Sequence, residues 1–292
     1  MTNIDLSEIG GTQTWTEAMA KELLRQGHEV TLWSPRVGEF AEERLSDFVV
    51  TDALPIQSFD VCLVNHNMCL NAIRPISGHK ILTCHGPSHV LERPIPGADG
   101  YVAVSEEIAQ AYPNFDFTVI RNGIDLERFK PPQDDPDKVL IATKNAEIQR
   151  MCEEACGLAG YSYIQANYQS HPTYEIEKLM AESSIVITSG RAVYEALACN
   201  RSVIVLTNRP TPTGEWIVRA DGWATPHNIH DLHQRNCSGR TNNMQWGSME
   251  LADSLNDWEG PETWGRDFVT EHHDIRQQAR QYLSLVEEEV VA

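Results

Sequence analysis

Short, continuous apolar runs alternate along the chain with stretches that have helical spacing. The runs that we interpret as strands are HEVTLW, FDVCLVN, HKILTCH, YVAVS and FTVIRN in the first part of the chain, and KVLIATK, YSYIQAN, SIVITS and SVIVLT in the second. The helical segments between them are TWTEAMAKELLRQ, EEIAQAY, AEIQRMCEEACGLAG, TYEIEKLMAES and RAVYEALAC. Strands that are apolar throughout are typical of parallel strands buried on both faces. The repeated β-then-α order predicts an α/β fold with two doubly wound, Rossmann-like parallel sheets.

A polar segment separates the two series of strands. FKPPQDDPDK, residues 129–138, is rich in proline and acidic residues, which is typical of a linker. We therefore predict an N-terminal domain at 1–131, a C-terminal domain at 137–265 and a helical C-terminal segment at 266–292. Two such domains would face each other across a cleft, with ligands at the carboxyl ends of the strands.

Candidate site residues follow directly after predicted strands. Gly10, Gly11 and Thr12 open the first helix, where glycines would let a backbone approach an anion. A tight strand-to-helix turn explains the same glycines without a ligand. His85 ends HKILTCH and could donate to a phosphate or a hydroxyl, or could be a structural histidine bonded to the backbone. The histidines of the tail, including His273, are expected on the surface.

The second domain offers a cation and a helix start. Lys144 ends KVLIATK, where a cation could meet a diphosphate. Ser189 and Gly190 lead into a helix that begins with Arg191, and a cation there opposes the helix dipole, which suggests an external anion. A solvated arginine explains the same position without a ligand. Glu195 follows one turn later. A carboxylate accepts two hydroxyl hydrogen bonds at once, so it suits a vicinal diol such as that of ribose.

Charge and cysteine content narrow the function classes. The 292 residues carry 42 acidic and 23 basic side chains, a formal charge of −19, which disfavours nucleic acid and anionic membranes as partners. No run approaches the roughly 18 apolar residues of a membrane anchor, and the N-terminus lacks the order of a secretory signal. Seven cysteines, several in apolar strands, indicate reduced, buried thiols and a cytoplasmic protein.

Three segments resemble GT-B-fold glycosyltransferases of the family-4 type. GGTQTWTEAMAKELLRQGHEVTLWSP is similar to the opening of these enzymes, and YVAVSEEIAQAY followed by VIRNGIDLERFKP is similar to the end of their N-terminal domain. VYEALACNRSVIVLTNRPTPTGEWIVRADGWATP resembles their donor-site segment. The segments stand in the family's order and span most of residues 4–228.

The resemblance implies a function and roles for single residues. It implies transfer of a sugar from a nucleotide-diphosphate donor to an acceptor hydroxyl, with retention of configuration, no cofactor and no obligatory metal. By the same resemblance Glu195 binds ribose, Lys144 binds phosphate, Gly11 lies near the phosphates and His85 near the transferred sugar. Two positions depart from the family pattern, since Ile187 replaces a common glutamate and Asn200 a common glycine.

Two other functions stay open from the sequence. The missing glutamate motivates a non-catalytic module that binds nucleotide sugars. A glycosyltransferase acting on a modified DNA base is the other, against which the negative charge argues. The donor sugar, the base, the acceptor and the oligomeric state, a homodimer included, stay open.

Overall fold

The computed structural model describes residues 1–133, 136–166, 173–210 and 216–290. Its contacts divide the chain into two units. Unit 1 comprises Met1–Asp125 and His273–Ala292, and unit 2 comprises Leu126–His272. Residues 134 and 135 of the predicted linker lie outside the described residues.

Unit 1 is an α/β unit in which each strand of the main sheet is followed by a helix or a turn. Its helices are α1 (Gly11–Arg25), α2 (Glu39–Arg44), α3 (Asn67–Ala72), α4 (Glu106–Ala111) and α11 (Ile275–Val290), with a short 3-10 helix at Val90–Glu92. Its strands are β1 (Thr31–Trp33), β2 (Val49–Thr51), β3 (Val61–Asn65), β4 (His79–Cys84), β5 (Gly100–Ala103) and β6 (Phe117–Val119).

The strands of unit 1 run parallel. β3, β4, β5 and β6 form a four-stranded sheet in that order, and β1 pairs with β2. Thr2 joins the two sets because it makes parallel bridges to both Trp33 and Val64. Ahead of Gly10 the chain forms isolated parallel bridges at Thr2 and Leu6.

Unit 2 has a second α/β sheet. Its helices are α5 (Ala146–Ala159), α6 (Ile176–Ala181), α7 (Arg191–Ala198), α8 (Ile229–Gln234), α9 (Ser248–Asn256) and α10 (Trp264–His272). Its strands are β7 (Lys138–Ile141), β8 (Ser162–Gln165), β9 (Ile185–Thr188), β10 (Ser202–Pro210), β11 (Trp216–Trp223) and β12 (Met244–Gln245).

The sheet of unit 2 is parallel at its centre and antiparallel at one edge. The strand order is β12-β11-β10-β9-β7-β8. β8, β7, β9 and β10 are parallel, as predicted, whereas β11 and β12 are antiparallel additions that the sequence pattern did not predict. The central strands carry the core, because Val139, Ile185 and Ile204 are fully buried.

The C-terminal helix α11 packs against α1 within unit 1. Tyr282 is fully buried, its ring lies 5.7 Å from that of Trp15, and its hydroxyl is 2.9 Å from Thr83 Oγ1. The expectation of a surface His273 is wrong: this side chain is 2% exposed, and Nδ1 lies 2.9 Å from the carbonyl oxygen of Asn122.

The seven cysteines are all buried and form no disulfide, which confirms the predicted buried thiols. Within the described part of the chain, no helix combines the length and the apolar character needed to cross a bilayer.

Candidate functional site

In unit 2 the loops after β7 and β9 meet at the carboxyl edge of the sheet. The hydroxyl of Thr188, the last residue of β9, donates to the carbonyl of Ala142, just after β7, at 2.9 Å. Lys144 is exposed two residues further on, directly before Asn145, whose side chain caps α5 by accepting from the N–H groups of Glu147 and Ile148. The structure therefore brings Lys144 to the same edge as the Ser189–Arg191 loop.

Gly190 gives this loop its shape. Its φ of 68° and ψ of −140° lie in a region that side chains other than glycine's scarcely enter. Its N–H donates to the carbonyl of Cys237 at 2.8 Å, which anchors the turn before α7. The N-terminus of α7 follows immediately, with no acidic side chain in its first turn. Such a helix start favours an anion.

Arg191 and Glu195 form an ion pair along α7. Arg191 Nε donates to Glu195 Oε1 at 2.9 Å, and each side chain is 9% exposed. This pair explains how a carboxylate is tolerated in a buried helix, since a buried charge requires a partner. It also offsets the unfavourable position of Arg191 at a helix start, which the sequence alone attributed to an external anion. Among the described residues, only one oxygen of Glu195 accepts a hydrogen bond.

In unit 1 the Gly10–Thr12 segment opens α1. Gly10 is the N-cap in extended conformation, and Gly11 is the first helical residue. A Cβ atom built on Gly11 would meet nothing within 4 Å. Neither backbone strain nor protein packing therefore requires glycine at position 11, which leaves room for a ligand at this helix start.

His85, at the end of β4, is held by a buried amide. Its Nε2 lies 2.8 Å from Asn65 Oδ1. Asn65 Nδ2 donates to the carbonyl of Thr2, which can only accept, so Oδ1 faces the histidine. His85 Nε2 must therefore carry a proton, and Nδ1 is the acceptor of the neutral ring. The ring also packs edge-on against Trp15, with centroids 5.3 Å apart.

His66 and Glu92 complete this network; His66 is a weaker sequence candidate of the same kind as His85, whereas Glu92 was not assigned from the sequence. Glu92 is 8% exposed; Oε2 accepts from the backbone N–H of His85 at 2.7 Å, and Oε1 lies 3.4 Å from His66 Nε2. Burial alone would raise the pKa of Glu92, but the hydrogen bond from His66 and the charges of His85 and His66 outweigh it, so that this pKa is lowered. His66 follows a strand end as His85 does, which was the available signal, whereas Glu92 lies in a long connection and left none.

The two departures from the family pattern have local structural explanations. Ile187 is fully buried in β9 and pairs with Ile204, so no side chain at this position reaches the loop. Asn200 has a φ of 53°, the left-handed conformation that glycine would adopt and that asparagine tolerates.

Two kinds of catalytic group are not found among the described residues. No group of three or more His, Cys, Asp or Glu side chains there is placed to hold a metal ion. The cysteines are buried, and burial raises the pKa of Cys84 and of Cys199 to about 12, which keeps both thiols protonated near neutral pH.

Comparison with known proteins identifies the architecture. No protein-family model and no curated protein sequence matches the chain. Among solved structures, HepE of Anabaena in complex with UDP and glucose superposes with a TM-score of 0.63 at 12% identity, covering 99% of this chain and 100% of that one. A glycosyltransferase from Rickettsia africae gives 0.58 at 14% identity, covering 98% and 97%. AviGT4, a glycosyltransferase of avilamycin A biosynthesis, gives 0.52 at 13% identity, covering 99% and 93%.

The fold is GT-B. These superpositions cover nearly the whole of both chains in each pair, so the similarity extends over both units. At such low identities they establish the fold alone.

Proposed function

We propose that the chain is a glycosyltransferase that moves a sugar from a nucleotide-diphosphate donor to an acceptor hydroxyl. One observation carries the proposal: a buried carboxylate, Glu195, stands one turn inside a helix whose N-terminus carries a glycine turn and no acidic residue. The GT-B fold and the UDP in the HepE structure support this interpretation. We further propose retention of configuration and no need for a metal ion, which rest on the family resemblance.

In the proposed donor site, each group of unit 2 has one task. Glu195 accepts hydrogen bonds from the ribose diol, because each carboxylate oxygen has two lone pairs and Arg191 uses only one of them. The diphosphate lies at Ser189, Gly190 and the start of α7. Lys144 and Arg191 stabilise the negative charge that develops on the diphosphate as it leaves.

The family resemblance assigns roles to residues of unit 1 as well. It implies that the Gly10–Thr12 segment acts near the donor phosphates and His85 near the transferred sugar. The hydrogen bond between Nε2 and Asn65 fixes the orientation of the His85 ring, which supports a positioning role for this histidine. The acceptor hydroxyl attacks the anomeric carbon on the face from which the diphosphate departs, as retention requires, and its proton passes to the departing phosphate oxygen.

Glu195→Gln is the variant that tests the donor site. Glutamine keeps an oxygen for Arg191 Nε while losing the charge, whereas alanine would also remove the partner of a buried arginine. We expect Glu195→Gln to weaken binding of the matching nucleoside diphosphate roughly tenfold to a hundredfold, measured by calorimetry over UDP, GDP and ADP. The deoxyribose nucleotide should bind the wild type more weakly than the ribose nucleotide does. In Glu195→Gln the two nucleotides should bind with nearly the same affinity.

Transfer itself is tested with a panel of UDP-, GDP- and ADP-sugars, and the anomeric configuration of the product by NMR. Unchanged nucleotide affinity in Glu195→Gln, with no response to the missing ribose hydroxyl, would refute the donor site. Binding of a sugar nucleotide without hydrolysis or transfer would favour the non-catalytic module. A shift of modified DNA in a low-salt gel would favour the DNA-directed enzyme.

A further inference from the structure

A cavity of about 190 Å³ lies in unit 2, at the opposite edge of the sheet from Lys144 and Gly190. It is lined by Ser202 at the amino end of β10 and by Trp223 at the end of the antiparallel β11, which places it at the amino ends of the parallel strands. It is smaller than the ~300–1,000 Å³ of pockets that hold drug-sized ligands. Its size therefore suits a chemical group rather than a nucleotide sugar.

Three tryptophans line this cavity, and each of their N–H groups already has a hydrogen-bond partner in the protein, in two cases another lining residue. Trp223 Nε1 donates to the carbonyl of Ser254 at 3.3 Å, and Trp258 Nε1 donates to Ser202 Oγ at 3.0 Å. Trp264 Nε1 donates to Glu262. The indoles consequently offer the cavity aromatic carbon surface rather than hydrogen-bond donors.

The charged lining of the cavity is mostly acidic. Asp257, Glu259 and Glu262 line it and are exposed. No ion pair involving any of these three carboxylates is found among the described residues. The lining cation, Arg201, is 5% exposed and donates to the backbone carbonyls of Cys199 and Ser183, so its guanidinium is directed into the protein. Aromatic rings beside carboxylates favour a ligand that is itself a cation.

We propose that this cavity binds a small organic cation with an alkylated ammonium group. An alkylammonium is attracted both by the negative faces of aromatic rings and by the carboxylates at the rim, and it needs no hydrogen-bond donor from the protein. A neutral sugar would gain nothing from the charge of the rim. The site is distinct from the donor site and does not depend on the proposed glycosyl transfer.

Choline and its neutral carbon isostere, dimethylbutanol, test the proposal on the full chain. Tryptophan fluorescence and calorimetry at low salt should show saturable binding of choline. Dimethylbutanol should bind at least about tenfold more weakly because it lacks the positive charge. Equal binding of the two would show a merely apolar cavity and would overturn the proposal. No binding of choline, or saturable binding of glucose in its place, would overturn it as well.

Paired variants distinguish the effect of the carboxylates at the cavity rim from the effect of the protein's overall negative charge. Asp257→Asn with Glu259→Gln removes two exposed rim charges and should weaken choline binding roughly tenfold without loss of folding. The matched control, Asp253→Asn with Asp267→Asn, removes two exposed charges outside the lining and should leave binding unchanged. Trp264→Phe should retain binding and Trp264→Leu should lose it. Equal losses in the rim and control variants would contradict the proposal.

Discussion

At the residue scale, the candidate residues of each unit are polar side chains that hold one another in place through hydrogen bonds. Asn65 determines which nitrogen of His85 carries the proton, and Glu92 holds the backbone of the same histidine. In unit 2, Arg191 and Glu195 form a buried ion pair along one helix. The chemistry of these sites is therefore set by partners that are themselves buried and bonded.

The lowered pKa of Glu92 predicts a pH-dependent contribution to stability. A carboxyl whose folded pKa lies below the ordinary value of 4.5 stabilises the fold above that pH, and its contribution is lost as the pH falls through the folded pKa. We expect Glu92→Gln to lower the unfolding temperature of unit 1 at neutral pH. The difference from the wild type should shrink from about pH 4.5 downwards.

Calorimetric scans at several pH values measure this difference. Glu43→Gln, an exposed site in the same unit, is the matched control and should follow the wild type at every pH. If the difference in unfolding temperature between Glu92→Gln and the wild type stayed constant down to acid pH, the histidine partners would not lower the pKa of Glu92.

Gly11 predicts a separation of binding from stability. The site has open space for a Cβ atom and no positive φ, so Gly11→Ala should leave the fold intact or stabilise it by up to about 1 kcal/mol. The added methyl group would occupy the space that we assign to the donor phosphates. We therefore expect weaker donor binding, measured as a raised KM, at an unchanged or higher unfolding temperature. A normal KM would remove Gly11 from the proposed site.

At the element scale, the strands with a continuous apolar sequence could be predicted, whereas the antiparallel strands β11 and β12 could not. β3, β4, β7 and β9 are buried on both faces, so their residue pattern is independent of register. The sequence of β11 is WIVRADGW, which mixes polar and apolar residues. It could not be identified as a strand from this pattern alone, because the strand is defined by its pairing with β10.

The candidate site shows the same division at the scale of its elements. The ends of predicted strands and the glycine turns indicated Lys144, Ser189–Arg191 and His85 as candidates, because parallel strands end at one edge of a sheet. The pairing of Arg191 with Glu195 follows from their spacing of four along α7 and was open to prediction. The Asn65–His85–Glu92 network depends on three separate segments that only the folded chain brings together.

The junction between α7 and α10 predicts unequal effects for two small substitutions. Asn200 stands in the left-handed conformation, and its Oδ1 accepts from the N–H of Arg266 in the first turn of α10. Asn200→Gly loses the hydrogen bond but relieves the backbone. Asn200→Ala loses the bond and keeps the strain, so it should be roughly 1–2 kcal/mol less stable than Asn200→Gly.

Chemical denaturation of the two variants, followed by the fluorescence of unit 2 tryptophans, measures this difference. Asn200→Asp keeps both an acceptor and tolerance of the left-handed region, and it should remain close to the wild type. Equal stability of the alanine and glycine variants would show that the conformation of residue 200 carries no cost.

At the scale of the whole molecule, unit 1 is built from two distant parts of the chain. The Asn122–Asp125 segment after β6 is where the returning chain docks: Ile124 bridges to Asp274, and a Cβ on Gly123 would lie 2.7 Å from Ile275 Cα. Asp125, which follows the same strand, pairs with Arg25 of α1 at 2.5 Å. The NGID segment therefore has a structural role in this chain, because the absence of a side chain at Gly123 makes room for the first turn of α11.

Deletion of α11 should therefore unfold unit 1 selectively. Ile275, Ala279 and Tyr282 are at most 1% exposed in a cluster with Trp15, and their removal would expose that core to water. A chain ending at His273 should lose the near-ultraviolet signal and the protease resistance of unit 1 while unit 2 keeps its own transition. A chain ending at Val286 retains the packed residues and should behave as the full chain does. If the shorter chain kept two intact transitions, α11 would be an appendage, and the assignment of residues 273–292 to unit 1 would be wrong.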